Sequence, residues 1–464
     1  MIDSTLSADN DLNKLGYTPK LFRTLNVWQL ASNGLTYLQP IGPAVVFGFL
    51  LTASHGTVAL PYLFAFVGMI FTVMSYSTLI QEYPLSGSVY NYAKIVIGPF
   101  FGFIAGWLLA LDYILIPTIT SASAAIYAHQ LIPSISYEAW LITFVLSMGF
   151  VNLIGIKSST FFSSIMLMIQ LLIVILGFAV WINFIVNTNH SLNSLISMRP
   201  FHFDTVTGVI QASAIAIFSF LGFDAITTLA EESINPRKDI PRAMLICTCI
   251  GFSIMFITGY LGVLAMPNWN EYASNPNWTN AALFELAKMT GGDTFALIYT
   301  LGFILAMVTC NLVGTTAVTR LLYGMGRDRV IPQRLFGAVN KRWKTPHGNI
   351  IFIVLLELLL GSLVNLDQLA ELINYGALSA FIILNFCVVC LGYKLLYKRI
   401  ELKSITTTKY SAIHLIFKFL IFPMIALSIM ISIFINMKNT TILFGSIWTI
   451  TGISYYVIRG RLFN

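Results

Sequence analysis

Windows of about twenty apolar residues recur along this chain, and nothing else in it constrains the fold as strongly. About 30 Å of hydrocarbon, crossed at 1.5 Å per residue, needs a helix of that length. Twelve such windows are readable: 27–52, 59–80, 99–128, 138–155, 160–186, 206–231, 241–265, 294–320, 349–365, 368–393, 412–435 and 440–458. Of all residues 57% are hydrophobic and only 10% are charged, against about 25% charged in soluble domains. A soluble enzyme, a nucleic-acid binder and a disordered scaffold are excluded, which leaves an all-α membrane protein. The longest segments between windows, 265–293 and 321–348, are too short for a separate folded domain.

The net charge of +7 marks topology. With the N-terminus inside, 22 of the 26 Lys and Arg residues fall in cytoplasmic segments and 3 outside, Lys418 lying within a window. That asymmetry predicts cytoplasmic N- and C-termini in the cell membrane, plasma or bacterial inner. Residues 1–26 are then a polar cytoplasmic tail with no signal-peptide core. The five cysteines lie in apolar runs, where Cys387-x-x-Cys390 serves packing rather than redox chemistry. The six histidines form no ligand cluster, and there is no Walker A sequence, so neither a metal nor another cofactor is expected.

Two windows contain residues that a continuous lipid-facing helix avoids. The first runs Gly34-Leu-Thr-Tyr37-Leu-Gln39-Pro40-Ile-Gly42-Pro43, and the sixth runs Ser219-Phe220-Leu-Gly222-Phe223-Asp224. Proline removes backbone donors, and glycine beside an acid interrupts an apolar helix. The breaks fall in spans one and six, equivalent positions in an inverted repeat of five plus five helices. Such paired breaks point to the central site of a secondary transporter.

Ser219 through Glu231-Glu232, continuing to Asn235-Pro236 and Ile240-Pro241-Arg242, resembles the sixth-helix signature of the amino acid–polyamine–organocation transporters. The segments Gly34–Pro40, Glu82–Ser88, Gly106-Trp107 through Asp112-Tyr113, Arg320–Asp328, Lys341–Pro346 and Leu372–Leu378 are similar, more narrowly, to bacterial putrescine importers. The resemblance implies twelve transmembrane helices, with broken helices one and six in a five-plus-five inverted repeat. Its halves fall at 27–186 and 206–393, with 412–458 holding the last two spans. It also implies ion-driven import of a small cation, putrescine or a related polyamine, by alternating access. An amino-acid importer or exchanger of the same superfamily is the alternative. Some proton-coupled relatives carry a lysine in helix five; here the corresponding position is Gln170, and 160–186 holds no ionisable residue. Proton coupling is therefore expected to rest on a carboxylate.

Charges at mid-bilayer are costly, so acids there are functional candidates. Asp112 contacts substrate, or it pairs structurally or carries the proton. Asp224 partners an ammonium or proton, or it caps or gates. Glu357 in Leu-Leu-Glu-Leu-Leu-Leu is expected to make a bundle- or oligomer-facing hydrogen bond. The expected binding residues are Tyr37, Gln39, Pro40, Gly42, Asp112, Tyr113, Ser219, Phe220, Gly222, Phe223 and Asp224. Glu231 and Glu232 are either a solvated helix end or an ionic latch. Pro40 and Pro43 weaken an amide cradle for a carboxylate, which favours a diamine over an amino acid.

Overall fold

The computed structural model describes residues 21–203, 205–273, 276–363, 366–401 and 415–463. Most of the expected tail therefore lies outside the described residues, as do the start of window eleven and Lys403 and Lys409. Among the described residues the chain is helical, with no strand beyond an isolated bridge between Leu25 and Ser233. Nine helices are long and apolar enough to cross a membrane, among the described residues. Two broken spans and one helix of 17 residues complete the twelve windows.

In chain order the main helices are α1 (Val27–Leu38), α2 (Pro43–Ala53), α3 (Ala59–Glu82), α4 (Val89–Val96), α5 (Pro99–Leu131), α6 (Tyr137–Ile154) and α7 (Ile156–Asn189). There follow α8 (Val206–Phe218), a 3₁₀ turn (Asp224–Leu229), α9 (Pro236–Ala265), α10 (Pro276–Arg327) and α11 (His347–Leu363). Last come α12 (Leu366–Glu401), α13 (Phe422–Ile435) and α14 (Asn439–Phe463). Span one is α1 plus α2, and span six is α8 plus the 3₁₀ turn.

The start of α1 is set locally. Asn26 accepts from the Trp28 and Gln29 amides at 3.0 Å each, and Gln29 returns a bond to the Asn26 amide, forming a capping box. α1 ends at Leu38 because Pro40 and Pro43 cannot donate. Gln39 takes a left-handed φ of 55° there, and α2 restarts with Pro43 in its first position.

α5 is the central post. It packs on α10 and α12, and small residues such as Gly102, Gly106, Ala110, Ser121 and Ala125 are buried along it. In lipid, close backbone approach of this kind drives helix association. Gly376 of α12 shows how tight the fit is: a Cβ there would lie 2.7 Å from the Leu108 carbonyl and 3.1 Å from the Asp112 amide. The peripheral helices instead expose large apolar side chains, such as Phe161, Met168, Leu172 and Ile175 on α7 and Leu443, Phe444 and Ile450 on α14. Such a surface is stable only against hydrocarbon.

α10 differs from expectation. It begins before 294 and runs past 320 to Arg327, bending at Gly292. Arg327, expected in the loop after the window, lies on the helix, and both Arg320 and Arg327 are paired with buried acids.

Candidate functional site

The two breaks meet beside α5. Gly222 sits at φ 116°, and a Cβ there would come within 2.6 Å of the Tyr37 ring, so the sixth span can approach the first only with glycine. On one side of this contact a cavity is walled by Tyr37, Leu38, Gln39 and Gly42 from span one and by Phe218, Ser219 and Leu221 from span six. Ile116, Ile119, Thr120 and Ser123 of α5 and Met307 of α10 complete it. Nearer the other end a smaller cavity lies among Asn33, Gly34, Thr228, Leu229 and Thr316.

Asp112 and Asp224 are both fully buried, and Asp224 is tied to Tyr113, the residue that follows Asp112 on α5. The Tyr113 hydroxyl donates to Asp224 Oδ2 at 2.5 Å, and the Tyr76 hydroxyl from α3 reaches the same oxygen at 3.5 Å. Neither oxygen of Asp112 has a hydrogen-bond partner, nor does Oδ1 of Asp224. Pro117, inside α5, offers no amide to the Tyr113 carbonyl one turn back. Three carboxylate oxygens without a hydrogen-bond partner and a carbonyl without its helical donor thus lie on neighbouring stretches of α5 and span six, and among the described residues no basic side chain is paired with the two acids. Chemically this is an acceptor-rich, water-poor place for a cation.

Of the expected binding residues, Tyr37, Gln39, Gly42 and Ser219 line the larger cavity. Asp112, Tyr113 and Asp224 cluster behind Tyr37, whose ring meets that of Tyr113 edge-on at 6.4 Å. Pro40 lies in the turn between the half-helices. Phe220 packs on Tyr62 and Phe66, and Phe223 on Tyr76 and Phe381, so both aromatics face neighbouring helices. The amides of Gln39, Gly42 and Ala44 are spent on Leu35, Gln39 and Ile41 carbonyls within the break, so the first span offers few donors to an anion.

The opposite side of the acid pair is closed by ions. Glu231 and Glu232 are 2% and 1% exposed, which excludes a solvated helix end. Arg327 donates to both oxygens of Glu231 at 3.0 Å, while Arg320 donates to Glu232 through Nη2 at 3.1 Å and Nε at 3.3 Å. Ser86 reciprocates with Glu231, its amide donating to the carboxylate at 3.2 Å and its hydroxyl accepting the Glu231 amide at 3.1 Å. Lys94 and Tyr90 both hold Asp328, at 2.6 and 2.7 Å. The amides of Thr24 and Leu25 bond the Glu232 carbonyl, and Ile234 bonds back to Leu25, so the chain entering α1 is zipped onto the end of span six. Arg320, Arg327 and Tyr76 are functional candidates that reading the acids alone missed. The basic groups that bond the two glutamates thus come from α10, 88 and 96 residues on, rather than from the adjacent Arg237, Lys238 and Arg242 alone.

A buried two-carboxylate centre at paired helix breaks, closed at one end by ion pairs and set in a lipid-facing bundle, defines a multi-pass membrane transporter. The chain belongs to the amino acid permease family, whose model matches residues 25–454. It has that family's all-α fold with broken first and sixth helices, and it is a transporter rather than an enzyme. It is 31% identical to the low-affinity putrescine importer PlaP of Escherichia coli (strain K12) over 96% of this chain and 95% of that protein. It is also 28% identical to the branched-chain amino acid permease BcaP of Bacillus subtilis (strain 168), covering 81% of this chain and 82% of the permease. A methylthioribose transporter of the same organism is 26% identical, covering 84% of each chain.

Proposed function

We propose that the protein imports a small organic cation, putrescine or a related polyamine, by proton-driven alternating access. The observation that carries this reading is the buried Asp112–Asp224 pair with no paired base among the described residues. Two desolvated carboxyl groups side by side require a cation, either an ammonium or a proton. Tyr37, Tyr76 and Tyr113 supply aromatic faces for the ammonium and for the methylenes behind it. The scarcity of free amides at the first break and the likeness to PlaP support a substrate without a carboxylate.

In the orientation set by the Lys and Arg distribution, both termini are cytoplasmic, in the plasma or inner membrane. The Glu231–Arg327 and Glu232–Arg320 pairs then form a closed inner gate, and the Gln39–Ser219 cavity leads from outside. The repeats 27–186 and 206–393 interdigitate around the site, with α13 and α14 as flanking helices.

A second reading, import or exchange of an amino acid, is favoured by the likeness to BcaP and by the uncharged walls of the larger cavity. Uptake of labelled putrescine into proteoliposomes separates the two. Competition by other diamines but not by amino acids is expected; competition by a branched-chain or cationic amino acid with no putrescine uptake would reverse the assignment.

A further inference from the structure

Glu357 is, with Asp112 and Asp224, one of three acids deep inside the spans, and the proposed substrate path does not use it. It stands midway along α11, 1% exposed, and its bonds face the bundle. Oε2 accepts from the Asn311 amide nitrogen at 2.6 Å and Oε1 from the Thr315 hydroxyl at 2.9 Å, both on α10. The expected bundle-facing hydrogen bonds are thus present, but both donors are neutral. The ionisable groups around it are few. Tyr37 of α1 lies within its field. On α5, Asp112 and Tyr113 belong to the Asp224 cluster, and on α10 the Arg320 guanidinium is held by Glu232. Cys310 of α10 turns its thiol to the Tyr37 carbonyl at 3.3 Å. The acid of α6, Glu138, sits in that helix's first turn.

The hydrogen-bond geometry accepts a proton with no more than the turn of one hydroxyl. Asn311 Nδ2 also donates to the Pro117 carbonyl at 3.1 Å, which fixes the orientation of the amide and leaves its buried Oδ1 without a partner. Asn311 can therefore only donate to Glu357. The Thr315 hydroxyl, now donating to Oε1, can turn its hydrogen away and accept from a protonated Glu357 through a lone pair instead. With a proton on Oε1 given to the Thr315 oxygen, both carboxyl oxygens and Asn311 Nδ2 stay bonded, and the uncompensated charge is gone. With the proton absent, the same bonds hold an anion with no ion pair. Through Asn311, the change of charge is delivered to Pro117, five residues beyond Asp112 on the central helix.

We propose that Glu357 is a second proton-binding site of the transport cycle, separate from the Asp112–Asp224 pair and linked to α5 by Asn311. The proposal rests on the proton-driven reading above for its role in the cycle, but not for the presence of the site. Proton binding is read on detergent-purified protein without substrate, as the infrared carbonyl stretch of a buried carboxylic acid followed against pH. A band that grows on acidification and disappears in Glu357→Gln is expected, since glutamine keeps the bonds and removes the titration. Thr315→Val should shift that band, and Asp112→Asn should leave it in place. Identical spectra for wild type and Glu357→Gln at every pH would overturn the site. In proteoliposomes, the number of protons entering per putrescine should fall by one in Glu357→Gln. An unchanged ratio would remove Glu357 from the cycle. If wild-type protein takes up no putrescine, the substrate reading fails while the infrared titration still decides the site.

Discussion

Asp112 is held without a hydrogen-bond partner among the described residues at a tight helix crossing, where Gly376 of α12 presses on the α5 backbone. That position removes water from the carboxyl group but leaves its oxygens open. An arriving ammonium would make a desolvated ion pair, the kind whose loss costs roughly 2–4 kcal/mol. Asp112→Asn preserves shape and deletes the charge, so putrescine affinity should fall by about 30- to 1000-fold. The measurement is equilibrium binding to purified, monodisperse protein; wild-type affinity in that sample would leave Asp224 as the remaining anchor. Asp224 differs in being already bonded by Tyr113 and Tyr76. Its acid was visible in the sequence because an aspartate beside glycine in an apolar run has no bland explanation. Its tyrosine partners were harder to see: Tyr76 lies 148 residues away, and nothing in a tyrosine at helical spacing distinguishes a hydrogen-bond donor from packing.

Among the elements, the breaks were legible and the gate was not. Pro40, Pro43 and Gly222 act through backbone chemistry local to their own positions, and the structure interrupts the helices there. The 8-residue α4 is too short for any apolar window, yet its residues are mostly buried. The apolar window for α10 stops at Arg320, although the helix continues to Arg327. Only the fold reveals that Arg320 and Arg327 reach acids 88 and 96 residues away. Arg320 and Glu232 have side chains 2% and 1% exposed, so removing one partner strands the other. Arg320→Ala should destabilise the protein by roughly 3–5 kcal/mol, and Arg320→Ala combined with Glu232→Ala should recover much of that loss. Unfolding by denaturant in detergent would check it. Equal destabilisation by the single and double variants would mean that the pair does not act as a unit.

At the scale of the whole molecule, the buried acids, the closed gate and the neutral fifth span bear on one another. Span five offers Gln170 to Thr309 at 2.9 Å, an uncharged contact where an amine could have carried the coupling ion. The groups that can change charge at the centre are therefore carboxyls. An empty carrier with two buried carboxylates cannot cheaply close its outer cavity and part the Arg320 and Arg327 pairs, because both steps leave charge in a dry interior. A proton on one carboxyl together with an ammonium on the other removes that obstacle, so proton and substrate cross in the same direction on the loaded stroke. Acid outside should thus drive accumulation, with each coupled proton worth about 1.4 kcal/mol per unit of pH difference, or tenfold in concentration ratio. The test uses proteoliposomes with the membrane potential clamped, loaded at neutral pH and diluted into buffer one unit more acidic. Putrescine should accumulate above equilibrium and leak back when the gradient is collapsed with a protonophore. An imposed sodium gradient without a pH step should give equilibration only. Accumulation that follows sodium and ignores the pH step would assign coupling to a metal cation and remove the proton from the acid pair.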